Sequence, residues 1–539
     1  MAEPSALEQH LLTFEPIEYR SIDGSGNNLS DPGLNATGDN MSRVGPAHFA
    51  DGISVPLETV NPRLISNVVV GQGDPDLPNS LQKSGFMYAW GQFLDHDIDL
   101  VGTDGVHHID VAVPNGDPVL PDGSVIPITR SVIDPATGAG TNTPATAVNT
   151  ITGWIDASMV YGSDQATMNA LRLADGHMAT SEGNYLPIVN GMYLAGDVRA
   201  SENPSLTALQ TLFVREHNHQ VDALHAAHPD WDGEHLYQQA RAIVTGEIQN
   251  ITYSEFLPHL LGKNVISDYH GYNPSVDPHI AEEFAGAAYR FGHSIVSGGT
   301  EKIDNNGNLL EEKDLKDAFF ESPAAFAANS GADGILRHLA DDTHPEMDVR
   351  ITGDLRNFLS DPPAAIDLAA INIQRGHDLG LGTLNETRVA LGLQPYTSFT
   401  EITNDKATVD ALQTAFGTVD KIDLWTGGLS EEHVNGGELG QTFARIVGDQ
   451  FTALRDGDRL WFENQLDKQT VDEIKKTTLA DVILRNTDTT HLQEDVFISA
   501  DANGAEPPKE PHVTGHFNQH VHDMFQGMGA AHHHFDVFT

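Results

Sequence analysis

The sequence contains no cysteine. Disulfides, iron–sulfur clusters, thiolate-ligated haem and cysteine-based zinc sites are therefore excluded, and any metal chemistry must use histidine and oxygen ligands. Basic residues are scarce as well: 29 Lys+Arg stand against 77 Asp+Glu, a net charge of −48. A surface of that sign disfavours nucleic acid and anionic membranes and favours solubility, including in saline surroundings. No run of 18 apolar residues occurs, and the first ten residues, MAEPSALEQH, lack both the basic start and the apolar stretch of a secretory signal. A soluble protein without membrane insertion is expected. At 539 residues the chain exceeds the usual size of one core, which leaves two lobes or one large, mostly helical domain.

What is present is concentrated between Trp90 and Leu100, WGQFLDHDIDL, where one amide, three carboxylates and one imidazole share eleven residues. The flanks predict a helix from about Ser84. At about 100° per residue, Gln92, Asp95, His96 and Asp99 fall on one face, and Asp97 projects roughly a quarter turn away. One helix can thus serve a ligand on the first face and a hard cation beside Asp97. The competing reading, a charged and solvated helix end, has equal standing on spacing alone.

Along the chain, residues 1–60 are rich in Gly, Asn, Asp and Pro and read as an extended arm, with residues 61–500 as the main domain. Residues 104–149 predict a long ordered loop or short strands. In Thr152-Gly153-Trp154-Ile155-Asp156-Ala157-Ser158, oxygen-bearing side chains recur at every second position, so an extended segment would aim Thr152, Asp156 and Ser158 to one side. With the carbonyl of Trp154 and the carboxylate of Asp97 they approach the six to eight oxygens of a calcium site. Arg199 and Glu202 precede a helix from about Pro204 to Leu224, and either pair with each other or touch a ligand. His217 and His219 resemble a metal pair, but a two-residue separation on a helix points them about 200° apart. Further helical patterns cover 235–262, 282–295 and part of 437–465. His293 lies in YRFGHS, and Asn372 and Arg375 lie in a mixed apolar segment, 367–379. The residues after about 500, including His532, His533 and His534, read as a flexible His-rich tail.

Taken together, WGQFLDHDID (90–99), TGWIDASMVYGS (152–163), AGDVRASENPSLTALQTLFVREHN (195–218), YRFGHS (289–294), INIQRGHD (371–378) and RDGDRLWFEN (455–464) closely resemble, in order and spacing, the animal-type haem peroxidases of the peroxidase–cyclooxygenase superfamily. The resemblance implies a mostly α, single large domain with little β structure around a buried haem b, reducing hydrogen peroxide through an oxoferryl haem and oxidising small anions (bromide, iodide, thiocyanate) or phenolic donors. It makes His96 the distal histidine, Arg199 the distal arginine, Gln92 a cavity residue, His293 the iron ligand, Asn372 the partner of its other ring nitrogen and Arg375 a haem propionate contact. Asp95 and Glu202 match carboxylates that become ester-linked to haem, whereas Asn203 stands where one mammalian member has a sulfonium-forming Met. Asp97, Thr152, Trp154, Asp156 and Ser158 match calcium ligands. Asp99 has no assigned role and reads as structural. The acidic, cysteine-free composition suggests a bacterial, extracellular member. A fatty-acid dioxygenase of the same superfamily and a non-catalytic, calcium-dependent adhesion protein are the alternatives.

Overall fold

The structure, a computed structural model, describes residues 17–500 apart from 58, 74 and 360–364. The first residues of the predicted arm and the His-rich tail with His532, His533 and His534 lie outside the described residues. The described chain is mostly helical, as expected, and its strands form only two-stranded antiparallel sheets, the longest pairing Gly299–Ile303 with Leu309–Asp314. Between residues 103 and 131 the expected short strands pair Thr103–His108 with Thr129–Ser131 and Val111–Ala112 with Val125–Ile126.

Helix α1, Phe86–Ile98, carries the dense motif. Phe86, Met87, Trp90, Phe93, Leu94 and Ile98 are fully buried on it. Each such side chain contributes about 1.5–3 kcal/mol of burial. Helix α2, Pro204–Ala227, lies against it, with Phe93 stacked on Phe213 at 5.2 Å and Trp90 edge-on to Phe213 at 5.7 Å. Asn203 caps α2, its side chain accepting the Leu206 N–H, and Pro204 fills the first turn, where no N–H is needed. Helix α3, Gly233–Ile251, starts at the Asp232 cap and packs on α2. Helix α4, Gly331–Asp341, covers another side of α2. Helices α5, Leu368–Asp378, and α6, Leu424–Ser430, are capped by Asp367 and Asp423. Helix α7, Gln441–Asp456, packs against α6.

Two segments depart from their predicted shape. The pattern over 282–295 suggests one helix, but the chain forms Glu282–Gly286, breaks at Ala287 (φ −144°, ψ −64°), and resumes through a tight turn to Gly292–Ile295. Gly286 sits so close to Leu379 that a Cβ there would lie 2.6 Å from its side chain, and Arg290 Nε donates back to the Ala285 carbonyl at 2.8 Å. Tertiary packing overrides helical spacing at this point. Residues 152–158 are bent rather than extended, with Ala157 in the left-handed region (φ 63°) and Ser158 opening a helical turn.

The described part of the arm braces this bend. Asn35 Nδ2 donates to the Gly153 carbonyl at 2.6 Å, and a Cβ on Gly153 would collide with Asn35. Arg20 and Asn27 both bond Asp458.

Candidate active site

A cleft opens between α1, the N-terminal end of α2 and the segment 289–296. Its polar wall carries Gln92, Asp95, His96, Arg199 and Glu202; Phe291, Val296, Leu315, Phe319, Leu355 and Leu368 supply apolar surface, and His293 lines the same cleft. The lining mixes apolar walls with a few convergent charges.

His96 is buried, and its Nδ1 has no hydrogen-bond partner, standing 3.6 Å from Asp197 Oδ1. Burial and the neighbouring Arg199 guanidinium push its pKa down to about 3, so the imidazole is neutral near pH 7. Arg199 is gripped by Asp197, Nε to Oδ1 at 2.9 Å and Nη2 to Oδ2 at 3.0 Å, a bidentate geometry. Its Nη2 also donates to the Asp99 carbonyl at 3.0 Å, and its Nη1 stands 3.6 Å from Asp95. The ion pair of Arg199 is thus with Asp197, not with Glu202.

Asp99, read as structural, belongs to the site: the helix ends before it, it turns extended, and its backbone carbonyl holds Arg199. Burial followed by the adjacent Asp95 raises the Asp99 carboxyl well above the ordinary range. Burial likewise raises Asp95, opposed by Arg199, and pushes Glu202 up to about 8. Both carboxyls predicted to face the haem rim line the cleft.

His293 Nδ1 lies 2.9 Å from Asn372 Nδ2, so the predicted partners meet. Arg290 Nη1 donates to the other end of that amide at 3.1 Å. Burial, then Arg290, pushes the His293 pKa down to about 3. Arg375 is fully buried outside the lining, bonding Asp378 Oδ2 at 2.8 Å, Ser131 Oγ at 2.9 Å and the Thr129 carbonyl at 3.0 Å. Besides Arg199, the arginine that lines the cleft is Arg290. Sequence reasoning missed Asp197, Arg290 and the contact of Asn203 with Gln92. The only signal for Asp197 was its place two residues before Arg199, which suits a carboxylate gripping the guanidinium of its own loop.

On the far side of α1, Asp97 and Asp156 are buried together. Asp97 accepts from the Ser158 N–H at 2.5 Å, the Ser158 hydroxyl at 3.0 Å and the Ala157 N–H at 3.1 Å. Thr152 Oγ1 donates to Asp156 Oδ1 at 3.0 Å, while Asp156 Oδ2 is buried without a partner. Burial and then Asp156 raise the Asp97 carboxyl well above the ordinary range, and burial raises Asp156 to about 6 against the pull of Arg241 and Arg20. Two mutually repelling buried carboxylates with an orphaned oxygen fit a hard cation. Among the described residues no three His, Cys, Asp or Glu side chains gather as a metal site, so a cation here would need hydroxyl and carbonyl oxygens as well. The Thr152 and Ser158 hydroxyls adjoin the two carboxylates, and Trp154 lies buried in the same bend. His217 and His219 do not converge: His217 is buried between the Tyr161 hydroxyl (2.9 Å) and the Gly176 carbonyl (3.0 Å), and His219 is exposed.

The family model described as animal haem peroxidase matches residues 19–497. Lactoperoxidase of Mesocricetus auratus is 34% identical over 542 residues, covering 87% of this chain and 76% of the relative. Peroxinectin A of Dictyostelium discoideum is 31% identical, covering 89% of this chain and 96% of the relative. The peroxidasin homolog pxn-2 of Caenorhabditis elegans is 31% identical over 89% of this chain, which spans only 42% of that longer protein. Among solved structures, peroxidase A of Dictyostelium discoideum matches with a TM-score of 0.82 at 30% identity, covering 89% of this chain and 100% of that one. A fatty acid alpha-dioxygenase of Arabidopsis thaliana matches with a TM-score of 0.78 at 21% identity, covering 94% and 89%, a likeness of fold alone.

Proposed function

The chain belongs to the animal haem peroxidase family, and from that premise we propose which of its residues carry the reaction and what it oxidises. It is a haem peroxidase, consuming hydrogen peroxide at the expense of electron donors. The observation that carries the assignment of residues is the cleft itself: a neutral, buried His96 beside a clamped Arg199, with His293, bonded from behind by Asn372, lining the same space.

When bound, haem supplies an iron centre that takes the two oxidising equivalents of peroxide. His293 would hold the iron. The Asn372 amide, 2.9 Å from the ring's Nδ1, would orient that imidazole. Arg290, which lines the cleft, would meet a propionate, and Asp95 and Glu202 would form ester links to the haem rim. His96, neutral, takes the proton from one peroxide oxygen and returns it to the departing one, so that two electrons and two protons convert peroxide to two waters. General acid–base help of this kind contributes about 10²–10⁴ in rate. Arg199 stabilises charge on the leaving oxygen, a preorganised donor contributing about 10²–10³.

The donors we propose are bromide, iodide, thiocyanate and phenols, with chloride oxidised weakly because Asn203 cannot form a sulfonium link. Anion oxidation is supported by the cationic side chains Arg199 and Arg290 in the cleft. Calcium would occupy the Asp97–Asp156 site and tie residues 152–158 to α1, fixing the register of His96 one residue away. An extracellular setting goes with this reading. Among the described residues, no helix is long and apolar enough to cross a membrane. The test is a donor panel with haem-loaded protein: peroxide-dependent oxidation of bromide, iodide and thiocyanate at neutral pH, and little hypochlorous acid from chloride. Oxygen uptake with a polyunsaturated fatty acid and no added peroxide would contradict the reading in favour of a dioxygenase.

A further inference from the structure

We propose that Asn203 is a positioning residue that fixes Gln92 as a hydrogen-bond donor toward small anions in the distal cleft. The inference rests on the anion-oxidising reading above and names the part of the cleft that sets anion affinity.

The argument starts from a group whose role cannot be exchanged. A backbone N–H can only donate, whereas the two ends of an Asn or Gln amide are interchangeable until a partner fixes them. The Leu206 N–H, one of the unsatisfied donors of the first turn of α2, points at Asn203 Oδ1 at 3.0 Å. That contact commits the oxygen of Asn203 to the helix and turns its NH₂ the other way. There Nδ2 donates to Gln92 Oε1 at 2.8 Å. With Oε1 occupied, the end of Gln92 left for the cleft is its NH₂ group, and both residues are cleft-lining. Donor polarity is thus relayed from a helix terminus through two amides into the site, and linked hydrogen bonds of this kind strengthen one another.

The surroundings make that polarity matter. Asp95, Asp99 and Glu202 put carboxyl groups on the same wall, and any of them that is ionised repels an anion. An NH₂ group held outward in the cleft that Arg199 also lines supplies the complementary donor, and hydrogen bonds to charged groups are stronger than neutral ones. Without Asn203, Gln92 is free to rotate and to present its oxygen.

The experiment uses full-length, haem-loaded ferric protein and bromide, reading the equilibrium dissociation constant from the Soret shift. Four proteins form a cycle: wild type, Asn203→Thr, Gln92→Leu and the double variant. Thr keeps the helix cap, adds no charge and is too short to reach Gln92. The dissociation constant is expected to rise about tenfold for Gln92→Leu, the loss of one charge-assisted hydrogen bond, and about three- to tenfold for Asn203→Thr. The Asn203→Thr increment should vanish in the Gln92→Leu background, as coupling through Gln92 requires. An Asn203→Thr constant within twofold of wild type, or the same increment in both backgrounds, overturns the proposal. Wild-type protein that takes up haem and reacts with peroxide but binds no bromide overturns it while leaving the peroxidase reading intact, whereas protein that takes up no haem overturns both.

Discussion

Asp197→Asn isolates a residue whose importance comes from geometry alone. Asp197 is buried, grips Arg199 at 2.9 and 3.0 Å and stands 3.6 Å from His96. Burial alone would raise its carboxyl, but Arg199 outweighs burial and holds it below the ordinary value, so it is charged near pH 7. Opposite charges about 3 Å apart attract by roughly 5 kcal/mol at an effective dielectric of about 20. Removing one member of a buried pair costs about 3–5 kcal/mol. Asn keeps one acceptor for the guanidinium, and Asp95 remains 3.6 Å from it. The expected destabilisation is therefore at the lower end, about 3 kcal/mol, read as a fall of a few degrees in the thermal midpoint. Function should suffer more. An Arg199 held on one side only loses the orientation that makes it an effective donor, so the stopped-flow rate with peroxide should fall about ten- to a hundredfold, approaching the loss of one preorganised donor. Asp197 also raises the pKa of His96, so its loss pushes that pKa lower still, and His96 stays neutral. The defect should accordingly persist at every pH from 5 to 8. A rate within twofold of wild type, or one restored by changing the pH, would refute the clamp.

Other perturbations separate the remaining parts. His293→Ala should abolish stable haem binding, whereas His96→Ala should keep the Soret band and lose about 10²–10⁴ in the rate with peroxide; absorption spectra of the two variants check this. Chelation of calcium should destabilise wild type, by about 2.7 kcal/mol if the ion had been at a hundred times its dissociation constant, read as a lower thermal midpoint, and leave the midpoint of Asp156→Asn unchanged; equal shifts in both would contradict the cation site. Far from the cleft, His344 and Glu438 form a fully buried pair, Nε2 to Oε1 at 3.2 Å. Against burial, Glu438 raises His344 above its ordinary 6.5, and against burial His344 lowers Glu438 below its ordinary 4.5. The histidine's contribution is complete below pH 6.5 and lost as pH rises through its raised value, and the glutamate's is complete above 4.5 and lost as pH falls through its lowered value. His344→Gln should therefore destabilise by about 3 kcal/mol between pH 4.5 and 6.5 and by progressively less at alkaline pH, measured as melting midpoint against pH.

Helix α1 and the capped start of α2 were legible in the sequence because their signals are local: an apolar stripe in one case, and Asn203-Pro204 ahead of an apolar pattern in the other. The polar constellation was legible only as an ensemble of six motifs, since no spacing brings residues 92–96, 199–202, 293 and 372 together. The break at Ala287 was not legible. Phe284, Ala287, Ala288 and Phe291 keep helical spacing through it, and the cause is a contact with Leu379, ninety-two residues away from Ala287 in the chain. The bend at 152–158 escaped for a similar reason, because alternating oxygen-bearing residues suit a strand, whereas two carboxylates and an arm closing over Gly153 curl the segment around a point. Asp99 is the first extended residue after the helix, where its carbonyl holds Arg199 and its side chain lines the cleft, a position that helical spacing alone does not give. Arg375 illustrates the reverse, a residue singled out by resemblance that here bonds Asp378 while Arg290 lines the cleft.

The central claim, that peroxide reacts between His96 and Arg199 over a haem held by His293, is tested most directly by mixing haem-loaded wild type and His96→Ala with one equivalent of hydrogen peroxide in a stopped-flow spectrometer. The account predicts a rapid change of the Soret band in wild type, reversed by added bromide, and the same change slowed at least a hundredfold in His96→Ala. An unresponsive wild-type spectrum, or equal rates in the two proteins, would contradict it.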